Sequence, residues 1–114
     1  MAKKSTRIPF EPDRVYHIFN RGNNREKLFY TPGHYQMFLD LYQKFPGTLA
    51  DTYSYCLIPN HFHLLIRVDA SARSEDFVRQ MRRWLITYAM TVNQEINRRG
   101  HLFTRPINRI LVSD

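Results

Sequence analysis

Two stretches of this chain carry apolar residues at three- and four-residue spacing, and four shorter ones are dense in β-branched and aromatic residues. Tyr35, Phe38, Leu39 and Tyr42 fall on one face of a helix predicted over 33–45, introduced by Pro32 and ended by Pro46-Gly47. Phe77, Met81, Leu85, Tyr88, Val92 and Ile96 mark a longer helix from Ser74 to about residue 98. Ser74 is its expected cap, and Glu75 and Asp76 sit in the first turn, where carboxylates suit the helix dipole. Runs 15–20, 52–58, 61–68 and 107–112 read as strands.

The order is β-α-β-β-α-β. It predicts an α+β, ferredoxin-like sandwich with an antiparallel sheet and both helices on one face. Residues 1–13, polar and broken by Pro9 and Pro12, read as a flexible leader to a single domain over 14–114. In the run His61 to Val68, alternation sends Phe62, Leu64, Ile66 and Val68 into a core. It leaves His61, His63, Leu65 and Arg67 on the face the helices do not cover.

That alternation gives the chain its clearest chemical feature. His61 and His63 project side by side from one strand, about 6–7 Å apart at their α-carbons. Two imidazoles at that spacing form half of a cation site on a rigid element. A divalent cation needs at least one more donor, which the sequence does not nominate. A purely structural pair stays open on spacing alone.

Composition narrows the classes. With 43% hydrophobic and 14% aromatic residues the chain can build a core and is far from disordered. Cys56 is the single cysteine, so no internal disulfide is possible; set between Tyr55 and Leu57, it reads as a buried thiol. No signal peptide and no run of 18 apolar residues is present, so the expected location is the cytoplasm, with no membrane partner. The net charge is +7, carried by 13 arginines against 4 lysines. Arginine forks onto phosphates and stacks on bases, which points to a nucleic-acid partner. Arg21-Gly22-Asn23-Asn24-Arg25 is a basic, amide-rich turn that could hold a phosphate or a base, and Arg79, Arg82 and Arg83 make a basic stretch on the second helix.

Pro59-Asn60-His61-Phe62-His63-Leu64-Leu65-Ile66 resembles the histidine–hydrophobic–histidine signature of single-tyrosine HUH transposases, and more closely that of the REP-associated tyrosine transposase group, which is IS200-like. Three further segments carry the resemblance: Tyr16 to Arg25, Tyr88-Ala89 with Asn93, and Arg98-Arg99-Gly100-His101-Leu102-Phe103. Together they span most of residues 15–112. The resemblance implies a DNA transposase, active in transposition and DNA recombination, that cleaves and rejoins single-stranded or hairpin DNA such as a REP element. His61 and His63 would help hold magnesium or manganese (Mg or Mn). A tyrosine would attack the phosphorus and form a 5′-phosphotyrosine link. Asn20, Arg21, Asn23, Asn24, Arg25, Arg82, Arg83, His101 and Arg105 are the expected DNA contacts.

In such proteins the tyrosine lies on a helix after the last strand, and this sequence stops at Asp114. The expectation is therefore a domain incomplete at its C-terminus, with its nucleophile beyond Asp114 and inactive in cleavage at this length. Tyr88 falls in an apolar helical series and reads as core. Two alternatives remain: a non-catalytic module binding hairpin DNA or RNA through a sheet face, and a metal-dependent nuclease using water, with His61, His63 and His101. The uncovered sheet face also allows a homodimer.

Overall fold

The computed structural model describes residues 3–5 and 8–113. Strand β1 (Lys3–Ser5) is followed by β2 (Val15–Arg21), α1 (Pro32–Lys44), β3 (Ala50–Ile58), β4 (His61–Val68), α2 (Ser74–Glu95) and β5 (Asn108–Val112). The sheet order is β1-β5-β2-β4-β3, antiparallel throughout. Strands β2 to β5 with the two helices make the ferredoxin-like α+β fold predicted from the element order, with β1 added at the β5 edge.

The helices form where the apolar spacing placed them. Thr31 caps α1, its side-chain oxygen accepting from the His34 amide. The first residue of α2 is Ser74 rather than its expected cap; Arg73 takes the cap position, and no side chain caps it. That helix closes at Glu95 rather than near residue 98, because Asn97 turns left-handed at φ 54°.

One face of the sheet is dry. Tyr16 and Ile18 of β2 and Phe62, Leu64, Ile66 and Val68 of β4 are buried to 1% exposure or less, so the alternation read from β4 holds at every core position. Phe38, Trp84 and Tyr88 from the helices pack edge-on and tilted around Phe62 and Phe103. The Trp84 indole N–H donates to the Phe38 carbonyl and the Tyr88 hydroxyl to the Leu28 carbonyl, so both large aromatics are core residues with their polar ends satisfied.

Part of the segment read as a leader is built into the fold. Phe10 is buried between Tyr16 and Phe77, and the Tyr16 hydroxyl donates to the Pro9 carbonyl. The Cys56 thiol, expected in the core, is exposed. Cys56 pairs with His63 across the β3–β4 ladder, so it lies on the sheet face away from the helices. No helix among the described residues is long and apolar enough to cross a membrane.

Candidate nucleic-acid interface and metal half-site

The open face carries Val15, His17, Phe19 and Arg21 from β2, His61, His63, Leu65 and Arg67 from β4, and Asn108, Ile110 and Val112 from β5, set by the registers Phe19↔His63, His17↔Leu65 and His17↔Ile110. At one end Arg67 is held between Asp13 and Asp51, each at 2.5 Å. These carboxylates push its already high pKa further up and occupy its donors.

The opposite end opens into a cavity of about 660 Å³ lined by residues that include Arg21, Arg25, Asn60, His61, His63 and Arg105. No Asp or Glu lines it. The arginine ion pairs among the described residues involve Arg67, Arg73, Arg79 and Arg98, and none involves Arg21, Arg25 or Arg105. Three guanidiniums without counter-ions around a carboxylate-free cavity favour an anion.

Local backbone bonds hold that rim together. The Gly22 amide donates to the Asn60 carbonyl, the Asn23 amide to the Leu102 carbonyl, and the Thr104 amide to the Arg21 carbonyl. Gly22 has no room for a side chain, since a Cβ would lie 1.9 Å from the Glu26 carbonyl oxygen. Arg98 bridges the same loops, donating to Glu26, Gly100 and His101. Its guanidinium holds the Glu26 carboxyl below the ordinary range. Arg98 therefore builds the rim.

The two expected metal ligands sit at the cavity floor. Their ring centres are 5.2 Å apart. A cation about 2.1 Å from each ring nitrogen lies about 3.2 Å from each ring centre, which separates the centres by roughly 4.5–5.2 Å for ligand angles between square and tetrahedral. The His61 Nδ1 lies 2.9 Å from the Asn60 side-chain oxygen. A carbonyl oxygen accepts only, so Nδ1 is the donor, which in the neutral ring leaves the lone pair on Nε2. Burial first, then the neighbouring His17 and His61, hold the His63 pKa below its ordinary value and favour the neutral imidazole that a cation requires. The pair fits one half of a divalent site. Among the described residues no group of three or more His, Cys, Asp or Glu side chains could complete it.

The other expected contacts divide. Asn20 is 3% exposed; its amide donates to the Thr104 carbonyl and its oxygen accepts from the Arg21 amide, so it ties β2 to the 103–105 loop. Asn23 and Asn24 form a short 3-10 turn with Arg25 beside the cavity. His101 and Arg82 lie in an adjoining groove of about 370 Å³, separated from the histidine pair by the shared wall Thr104-Arg105-Pro106. His101 faces the Arg105 guanidinium at 3.3 Å and does not join His61 and His63 as a third ligand. Arg83 lies over the Phe45 ring, 4.7 Å from its centre, and lines neither groove. From the sequence, His17 reads as a packed histidine on the strand with Val15 and Phe19, with no link to His63; in the structure its Nε2 is 2.8 Å from the His63 Nδ1. The signal that could have found it was topological: in a ferredoxin-like sheet the first and third strands are neighbours.

Fold and site together define a ferredoxin-like domain with a basic, histidine-floored cavity on its open side. The structure is similar to that of a REP-associated tyrosine transposase bound to a REP hairpin, with a TM-score of 0.69 at 12% sequence identity over 95% of this chain. The match covers 61% of the transposase chain. No protein-family model and no curated protein sequence matches the chain.

Proposed function

We propose that this domain binds single-stranded or hairpin DNA and seats a phosphate of the strand over His61 and His63. The observation that carries this reading is the cavity itself: two imidazoles and three guanidiniums, with no carboxylate among the described lining residues and no ion pair to those guanidiniums among the described residues. The fold shared with a hairpin-bound transposase supports it. Arg21, Arg25 and Arg105 bind and orient the phosphate backbone, a role suited to forked donors. His61 and His63 would hold a manganese or magnesium ion, manganese fitting imidazole better. The bound ion would polarise the phosphate as a Lewis acid, with phosphate or water oxygens filling the rest of its shell. In the resembled family, strand cleavage and rejoining run through a phosphotyrosine. None of the seven tyrosines of this sequence lines the cavity, which favours binding without cleavage by these residues alone.

The test pairs two titrations. Fluorescence anisotropy should show tighter binding to a DNA hairpin than to duplex of equal length at ~150 mM salt. Calorimetry with manganese should show weak binding that His61→Ala and His63→Ala each reduce further, with circular dichroism unchanged. Equal affinity for hairpin and duplex, or manganese binding untouched by either change, refutes the proposal.

A further inference from the structure

His17 and His63 meet on the open face with Nε2 and Nδ1 2.8 Å apart and their ring centres 5.0 Å apart. A ring nitrogen sits about 1.1 Å from its ring centre, so a straight bond through both nitrogens places the centres about 5.0 Å apart. The rings are inclined by only 28°. They therefore meet edge to edge, as a directed hydrogen bond requires, and not face to face. One nitrogen must donate and the other accept. If His17 donates, His63 keeps its proton on Nε2 and that nitrogen is closed to a cation. If His63 donates from Nδ1, its Nε2 is bare. The neighbouring His61 has the second arrangement, its Nδ1 donating to the Asn60 side chain.

We propose that His17 is a positioning residue: it accepts the Nδ1 proton of His63, fixing the tautomer and ring orientation that turn the His63 Nε2 lone pair toward the cavity. His17 itself binds neither cation nor DNA phosphate. It is absent from the residues lining the cavity, and its half-buried ring is seated between Phe19 and His63. Metal-bound histidines generally donate their second ring N–H to a fixed acceptor, and losing that acceptor weakens binding. Here the acceptor is another imidazole on the adjacent strand, placed by the Phe19↔His63 register. The number of protons does not change; only the nitrogen that carries one is chosen. The inference rests on the reading of His61 and His63 as cation ligands, yet its primary readout needs no cation.

The experiment is long-range proton–nitrogen NMR of the imidazoles in the metal-free protein at about pH 8, above the ordinary imidazole pKa of about 6.5. Wild type should show His63 protonated on Nδ1. His17→Ala, and His17→Asn with its shorter amide, should shift His63 toward the Nε2-protonated form and weaken manganese binding roughly tenfold or more. His17→Gln, whose side-chain oxygen reaches the position of Nε2, should restore both. A wild-type His63 protonated on Nε2 overturns the inference, as does a tautomer unchanged in His17→Ala and His17→Asn, or a manganese loss that His17→Gln fails to repair. If instead His61→Ala and His63→Ala leave manganese binding intact, it is the ligand assignment that fails.

Discussion

Replacing Arg21, Arg25 and Arg105 together with glutamine should flatten the salt dependence of hairpin binding. All three side chains are exposed and none is ion-paired with a carboxylate among the described residues, so the substitutions should leave the fold intact. Each phosphate neutralised on a single strand contributes about 0.7 to the slope of log affinity against log salt. Three contacts amount to about 2.1. Between 50 and 200 mM salt, a fourfold range, that slope corresponds to roughly an 18-fold loss of affinity, which wild type should show and the triple variant should not. Arg73→Gln is the matched control, because Arg73 is exposed, paired with Glu75 and located beyond the far end of β4. Anisotropy titrations at four or more salt concentrations give both slopes. A triple variant with the wild-type slope, or an equal fall in Arg73→Gln, would refute the assignment of the cavity as the phosphate site.

Two smaller perturbations test the frame around it. Gly22→Ala places a Cβ 1.9 Å from the Glu26 carbonyl oxygen, which must move the 22–26 turn; urea denaturation should show a loss of about 1–3 kcal/mol, and hairpin affinity should fall with the folded fraction held constant. Tyr88→Phe removes the hydroxyl that donates to the Leu28 carbonyl and should cost about 1–3 kcal/mol by the same assay, leaving hairpin affinity unchanged.

Much of this was legible because strand alternation is a strict geometric rule. Once 61–68 was a strand with Phe62 inside, His61 and His63 had to face outward together, and they do. Arg21 and Arg25 read as one basic turn and Arg105 as an expected DNA contact far along the chain, and folding brings them to one rim because the turn after β2 pairs with the 102–104 segment. What escaped depended on lateral neighbours. His17 gains its meaning from His63, 46 residues away, and only the β2–β4 register brings them together. The apolar run around Cys56 suggests an inward-facing strand, whereas β3 is an edge strand and Cys56, opposite His63, lies on the open side. Asn20 is an expected DNA contact by the resemblance, but its buried place near the end of β2 makes it the tether of the 103–105 loop. His101 lies in a loop whose direction the pattern does not set, Arg83 sits on the part of α2 that faces Phe45, and neither reaches the histidine pair.

The aromatic inventory bears on the chemistry as firmly as the charges do. A phenol that attacks phosphorus must reach within about 3–3.5 Å of it and must be able to give up its proton. Tyr88 meets neither condition: it is fully buried, its hydroxyl is bound to a main-chain carbonyl, and burial drives its pKa far above that of a free phenol. Tyr16 and Tyr42 are likewise buried, with hydroxyls engaged by the Pro9 carbonyl and the Thr52 hydroxyl and pKa values raised by burial. Tyr35 lies against Phe29, and Tyr53 and Tyr55 sit in β3 beside a surface lined by Asp40 and Asp51; Tyr55 also borders a second pocket with His17 and His63 but does not line the basic cavity. Tyr30, exposed ahead of α1, lines neither the cavity nor the adjoining groove. The residues that converge on the cavity are donors and imidazoles, suited to gripping a phosphate and, with a cation, to polarising it. None of the seven tyrosines lines the cavity, and on the proposed reading the donors and imidazoles gathered there suffice to bind and orient a DNA phosphate.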